Sequence, residues 1–329
     1  MKKILSFGSW LLAAIVLVPV GVRPADQKND VEAIGSRNVA RKSIISIEKE
    51  IAIGRQYAGE IDKSAKLLAD PVITEYVNRL AQNIARNSDL KLPLIVKVID
   101  AREINAFALP GGFLYVNSGL LAAAEEEAEV AGVISHEVAH VAARHWASQM
   151  TKSTILRYAT IPLIFTPMSA PVYVGVSQGM NLGIPLAFLK FSRGAESEAD
   201  FLGLQYMYKT GYDPNAYVAF FGRILDEQRR SPGSVPTVFS DHPMTGDRII
   251  KSEATIKEVL PKREAHLVST SEFEDVKDRL RITMKRNKLQ KPDPDKPTLR
   301  KSETATDSTA QGKTGSQHSE KPPVLRRQE

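Results

Sequence analysis

Residues 130–143 read VAGVISHEVAHVAA, a segment that is helix-compatible throughout and apolar on both sides of three titratable residues. On a helix, residues four apart lie on one face. His136 and His140 can therefore reach one metal ion, with Glu137 projecting beside it. Two neutral imidazoles hold zinc while leaving coordination positions open, and a neighbouring carboxylate can take a proton from an attacking water. By chance alone HExxH arises in on the order of one chain in a hundred of this length. The pentapeptide therefore needs support from the rest of the chain, against the alternative of an amphipathic helix with two incidental histidines.

The first support comes from what is missing. The chain has no cysteine, which excludes disulfides, thiolate metal sites, a cysteine nucleophile and a lipoprotein anchor. A site built from His and carboxylates points to hydrolytic rather than structural zinc. Trp146 stands where a metzincin would place its third histidine, and Ala143 replaces the turn glycine. Between Val141 and Ala195 there is no Asp or Glu. His145, five residues after His140, is turned off the metal face and reads as a structural histidine. The first carboxylate available downstream is Glu196, in RGAESEAD. Glu196 and Asp200 are four apart and share a helix face, so Glu196 is the expected third zinc ligand. Asp200 is placed to accept the N–H of a ligating histidine and fix its tautomer. Glu198 points elsewhere and reads as solvated. HExxH with a distant Glu is the gluzincin-type arrangement.

The remaining patterns predict a mainly α fold with a small β-hairpin or sheet (α+β). Ile44, Ile47 and Ile51 recur at helical spacing, as do Val72, Tyr76, Leu80 and Ile84 behind the start signal Asp70-Pro71. Residues 94–100 alternate and read as a strand. Two apolar runs around Pro110-Gly111-Gly112 predict a hairpin, with Ser118 capping the next helix. A long helix is expected over 128–150, and further helices over 195–210, 214–229, 244–260 and 271–286. The apolar run 154–191 is interrupted by Pro162, Pro167, Pro171, Gly175, Gly179, Gly183 and Pro185, too broken for a clean membrane span. It reads either as buried short helices or a lid, or as a surface for membrane or greasy substrate.

At the N-terminus, Lys2 and Lys3 precede the apolar run Leu11–Val18. Residues 1–25 read as a signal peptide or, because Arg23 spoils the cleavage site before Ala25, as an uncleaved signal anchor. Either predicts an extracytoplasmic (periplasmic) body, secreted or tethered to the inner membrane, and possible membrane contact through 4–22 as well as 154–191. Residues 26–42 read as a linker, 43–287 as the peptidase domain, and 288–329 as a disordered basic tail. Net charge is +6 and pI about 9.3, but no nucleic-acid-binding signature accompanies the charge, so no nucleic-acid partner is expected.

Together, HEVAH, SRGAESEAD, DHPMTGDRI and the stretch NAFALPGGFLYVNSGLL at 105–121 resemble the zinc peptidase family that includes CaaX prenyl endopeptidase, HtpX-like and periplasmic BepA-like proteases. The resemblance covers roughly residues 45–285. It implies one zinc ion per chain on His136, His140 and Glu196, Glu137 as general base, and Asp200 behind a ligand. It also implies that His242 and Arg248 lie near the open metal face. Asn105, Ala106, Phe107, Ala108, Gly111 and Gly112 would belong to a substrate-side hairpin, whose edge strand can take up an extended peptide by backbone hydrogen bonds. The expected activity is zinc-dependent endoproteolysis of extended or misfolded envelope proteins. The alternative is a catalytically idle, chaperone-like zinc protein. The multi-span scaffold of the prenyl endopeptidase type and the helical repeats of BepA-like proteins have no counterpart in the sequence, so prenylated substrates and those partners are not carried over.

Overall fold

A computed structural model of the chain describes residues 28–164, 190–230, 242 and 245–290. The expectations for 1–25, for most of 154–191 and for the tail beyond 290 lie outside the described residues. Among the described residues, no helix is long and apolar enough to cross a membrane.

Helices α1 (Ile47–Ser64) and α2 (Pro71–Arg86) lead into strand β1 (Ile95–Ile99) and the hairpin β2 (Ala106–Leu109) and β3 (Phe113–Asn117). The short α3 (Ser118–Ala123) and the motif helix α4 (Glu127–Ala142) follow, then α5 (His145–Ile164), α6 (Arg193–Thr210), α7 (Pro214–Arg230), α8 (Gly246–Glu258) and α9 (Ser271–Gln290). The sheet order is β1-β3-β2. β1 runs parallel to β3 (Ile95 opposite Phe113), and β2 runs antiparallel to it (Ala108 opposite Leu114).

β3 is buried along its whole length because both sheet faces are covered. Side chains alternate across a strand, so Leu114 and Val116 enter the main core with α2, α4, α6, α7 and α9, while Phe113 and Tyr115 pack towards Ala58 of α1. Gly111 and Gly112 sit in the turn with φ of 78° and 93°, a region that favours glycine.

The start signal at Asp70-Pro71 behaves as expected, with Asp70 accepting the Val72 N–H. Other local expectations need correction. Ile44 and Ile47 are 65% and 39% exposed, and α1 instead turns Glu50, Gly54 and Ala58 inward. Its backbone lies so close to the turn at Pro110 that a side chain at Gly54 would collide with it. Ser118 does not cap α3. Asn117 occupies that position, and the Ser118 hydroxyl donates to the Ala101 carbonyl at 2.9 Å. The helix expected over 128–150 is broken at Arg144, which has φ 54°. That left-handed turn is secured where the Arg144 guanidinium meets the buried Glu50 carboxylate at 2.9 Å and the Ile45 carbonyl at 2.7 Å. The described part of the expected linker is a packed strap. Val31 and Val39 are buried, and Arg37 forms a buried ion pair with Asp89 at 2.8 Å.

Candidate metal centre

α4 and α6 make the most extensive helix–helix packing in the fold, and each brings one part of the site. α4 supplies His136, Glu137 and His140, while α6 supplies Glu196 and Asp200. α6 starts where Ser192 accepts the Ala195 N–H. This fixes the register of the first turn and therefore the direction of Glu196. α8 starts at Thr245, whose hydroxyl accepts from the Arg248 N–H. That cap sets Arg248 beneath the same carboxylates. His242 stands between α7 and α8.

His136, His140, Glu196 and His242 are all buried and can offer one ligand atom each within 4.8 Å of one another. The His136 and His140 Nε2 atoms are 3.0 Å apart. Glu196 Oε2 lies 3.5 Å from His136 Nε2, and its Oε1 lies 3.7 Å from His140 Nε2. Zinc–ligand bonds of roughly 2.0–2.1 Å in a tetrahedron place donors about 3.3 Å apart, so two imidazoles and this carboxylate fit one zinc ion. His242 Nδ1 is 2.9 Å from Glu196 Oε1, and its Nε2 is 3.7 Å from Glu137 Oε1. It approaches the cluster from outside the two ligand helices.

The groups behind the donors are well defined. Asp200 Oδ1 is 3.1 Å from His136 Nδ1 and accepts the Tyr217 hydroxyl at 2.6 Å. Tyr217 also lies 3.2 Å from His136 Nδ1. Arg248 grips Asp200 with two hydrogen bonds of 2.7 and 2.6 Å and lies 2.9 Å from Glu196 Oε2. The guanidinium thus neutralises the buried carboxylates and holds their orientation. His140 Nδ1 is 2.9 Å from His145 Nδ1, and the Phe191 ring stacks on His140 at 4.2 Å.

The electrostatics match a cation site. Burial opposes charging His136, but hydrogen bonds to Asp200 and Glu196 outweigh it and raise its pKa to about 9. The position therefore favours positive charge, as a proton or a metal. Burial, with His136, His242 and His145 nearby, pushes His140 well below its usual value, which keeps the ring neutral. Burial opposes ionising Asp200, yet Arg248 and His136 hold it at about 2. For Glu196, burial is likewise overcome by the His136 and His242 hydrogen bonds, and its pKa lies well below the carboxylate range. Burial raises Glu137, the direction a proton acceptor and donor near neutral pH requires.

The expected substrate-side residues divide into two groups. β2 is an edge strand of the described sheet, and its Ala108 N–H donates to Glu137 Oε2 at 2.9 Å. Phe107 stacks on Tyr115 on the α1 side. Ala106 is buried in the main core, and the Asn105 side-chain oxygen is buried without a hydrogen bond among the described residues. Gly111 and Gly112 pack against the chain's own backbone, at Ile51 and Pro93. They hold the turn and are not presented to a ligand. Glu198, expected to be solvated, has a side chain only 16% exposed and meets Lys28, Arg41 and His145. Tyr217 and Phe191 carry no local sequence signal, since only tertiary packing brings them to the histidines.

Residues 71–256 match the profile of Peptidase family M48. The chain belongs to this family. Every donor of the cluster, together with Glu137, Asp200 and Arg248, falls inside the matched region, whereas the strap and α1 precede it. Among relatives, the beta-barrel assembly-enhancing protease of Escherichia coli (strain K12) is 28% identical over 76% of this chain and 52% of its own. The metalloprotease LoiP of the same organism is 32% identical over 59% of this chain and 75% of its own. The mitochondrial metalloendopeptidase OMA1 of Schizosaccharomyces pombe (strain 972 / ATCC 24843) is 34% identical over 58% of this chain and 55% of its own. The chain spans about half the length of the beta-barrel assembly-enhancing proteases that it matches.

Proposed function

We propose that this chain is a zinc-dependent metalloendopeptidase that cleaves extended or misfolded polypeptides in the cell envelope. The observation that carries the reading is the hydrogen bond from Ala108 of the edge strand to Glu137. It sets the Glu137 carboxylate of the HEVAH helix against a strand edge, beside four buried residues that could hold a metal ion. His136, His140 and Glu196 would hold the zinc ion, which would supply Lewis acidity towards the scissile carbonyl and lower the pKa of an attacking water.

The chain's own groups do the rest. An incoming peptide adds to β2 through backbone hydrogen bonds, which select extended conformation more than side-chain identity. Glu137 takes the proton of the attacking water and delivers it to the departing amine. Asp200 and Tyr217 hold His136 by its Nδ1, and Arg248 holds Asp200 in turn. His242 can offer a ligand atom to the same cluster, which suits a fourth donor that keeps the site latent until displaced. The relatives named for beta-barrel assembly enhancement support quality control of envelope proteins, and residues 1–25 support an extracytoplasmic site of action, secreted or tethered.

The test is digestion of a reduced, unfolded protein by the purified chain. Cleavage abolished by a chelator and restored by zinc is expected. Binding of the unfolded protein without cleavage, at any zinc concentration, overturns the reading in favour of an idle chaperone-like protein.

A further inference from the structure

Glu198 is held from two sides by the strap that precedes the family's matched region. Arg41 Nε lies 2.6 Å from its Oε2, and Lys28 Nζ lies 2.7 Å from its Oε1. The Arg41 backbone N–H also donates to the Ala143 carbonyl at 2.9 Å, where α4 ends. From Glu198 the contacts run inward. Glu198 Oε2 is 3.2 Å from His145 Nε2, and His145 Nδ1 is 2.9 Å from His140 Nδ1. His140 Nε2 then faces the metal cluster, 3.0 Å from His136 Nε2. The His145 side chain is fully buried, so these contacts alone decide where its proton sits.

For two neutral rings, the donor and acceptor rules leave one arrangement. A carboxylate gripped by two cations only accepts hydrogen bonds. His145 Nε2 must therefore carry the proton and donate to Glu198. Its Nδ1 is then a lone pair, so the short contact to His140 requires a proton on His140 Nδ1. With that proton fixed, His140 Nε2 presents a lone pair to the cluster. Reversing the first choice reverses the last, because an N–H on His145 Nδ1 would drive the proton of His140 to the ligand nitrogen.

We propose that the strap, through Arg41, Lys28, Glu198 and His145, sets the metal-binding tautomer of His140. Glu198 and His145 are positioning residues that touch neither substrate nor metal. The proposal rests on the metal reading above and adds that residues 28–46 are a working part of the centre. A carboxylate behind one ligating histidine is already present at Asp200 and His136. Here the same task is passed through a second imidazole to an ion cluster that ties the N-terminal segment to the site.

Glu198→Gln in the full chain tests this directly. Gln keeps the shape but not the charge, so the His145 Nε2–H loses the charge-assisted hydrogen bond that holds it and the other tautomer gains ground. Zinc affinity, measured by competition with a chelating indicator, should fall roughly 10- to 100-fold, the usual cost of losing a group behind a ligand. The zinc-free protein should still fold, with a melting temperature lowered by the lost pairing to Lys28 and Arg41. Long-range proton–nitrogen spectra of the zinc-free protein should show the His140 ring proton moving from Nδ1 towards Nε2. Lys28→Ala/Arg41→Ala, which leaves α6 intact, should shift affinity the same way by less, and it decides the matter if Glu198→Gln does not fold. Unchanged zinc affinity overturns the proposal. So does a loss of affinity that only follows a loss of zinc-free stability with the His140 ring pattern unchanged. Should wild-type protein bind no zinc, the metal reading fails by itself, and the His140 ring pattern in wild type and Glu198→Gln still decides the relay.

Discussion

Gly54→Ala pits local preference against tertiary contact, and the two predict opposite signs. Within α1, alanine in place of glycine favours the helix by about 1 kcal/mol. In the fold, the added Cβ would stand 1.7 Å from the Pro110 carbonyl oxygen and 3.1 Å from Phe113 Cδ2. The first of these neighbours is backbone and cannot rotate away, so α1 and the hairpin turn must part by more than an ångström. Overpacking of this kind costs about 1–3 kcal/mol, and a backbone clash belongs at or beyond the upper end. The net expectation is a destabilisation of about 2 kcal/mol, which lowers Tm by about 4–8 °C for a domain of this size. The same displacement pulls on β2, whose Ala108 N–H is 2.9 Å from Glu137. Hydrolysis of an unfolded substrate should therefore fall several-fold at temperatures where the variant is folded, while zinc affinity is kept, because none of the proposed ligands lies on α1 or the hairpin. Differential scanning calorimetry and a zinc competition assay separate the two effects. A Tm at or above wild type would refute the packing argument, since it would mean that helix propensity had won.

Glu137→Gln should abolish hydrolysis while leaving zinc bound, because its proposed role is to handle protons rather than to bind the metal; loss of zinc or retained turnover contradicts that role. Glu196→Ala should weaken zinc binding more than any Glu198 substitution, since one removes a donor and the other only misdirects one, and equal losses by titration would sink the ligand assignment. His242→Ala should raise the basal rate if the imidazole keeps the site latent. A fall in kcat of about a hundredfold or more would instead mark it as an oxyanion donor, and unchanged rate and metal affinity would remove it from the site.

Much of the centre is legible in the sequence because its parts are local. His136 and His140 are four apart on one helix, as are Glu196 and Asp200, and helical geometry alone places each pair on a face. The absence of any carboxylate between Val141 and Ala195 then leaves Glu196 as the nearest candidate. The hairpin around Pro110-Gly111-Gly112 is local in the same sense. What the sequence could not decide is which faces are covered. Glu198 looks solvated when α6 is considered alone, yet a strap some 157 residues earlier brings Arg41 onto it. Ile44, Ile47 and Ile51 recur at helical spacing, yet the close approach of α1 to Pro110 gives the inward face to Glu50, Gly54 and Ala58. Arg144 looks like the middle of a helix, and only Glu50 and the Ile45 carbonyl make its left-handed turn tenable. Tyr217 reaches His136 from 81 positions away. Periodicity reports how a segment can present its side chains. Burial, pairing and proton position depend on the long-range partner that meets them, and the tertiary structure supplies that partner.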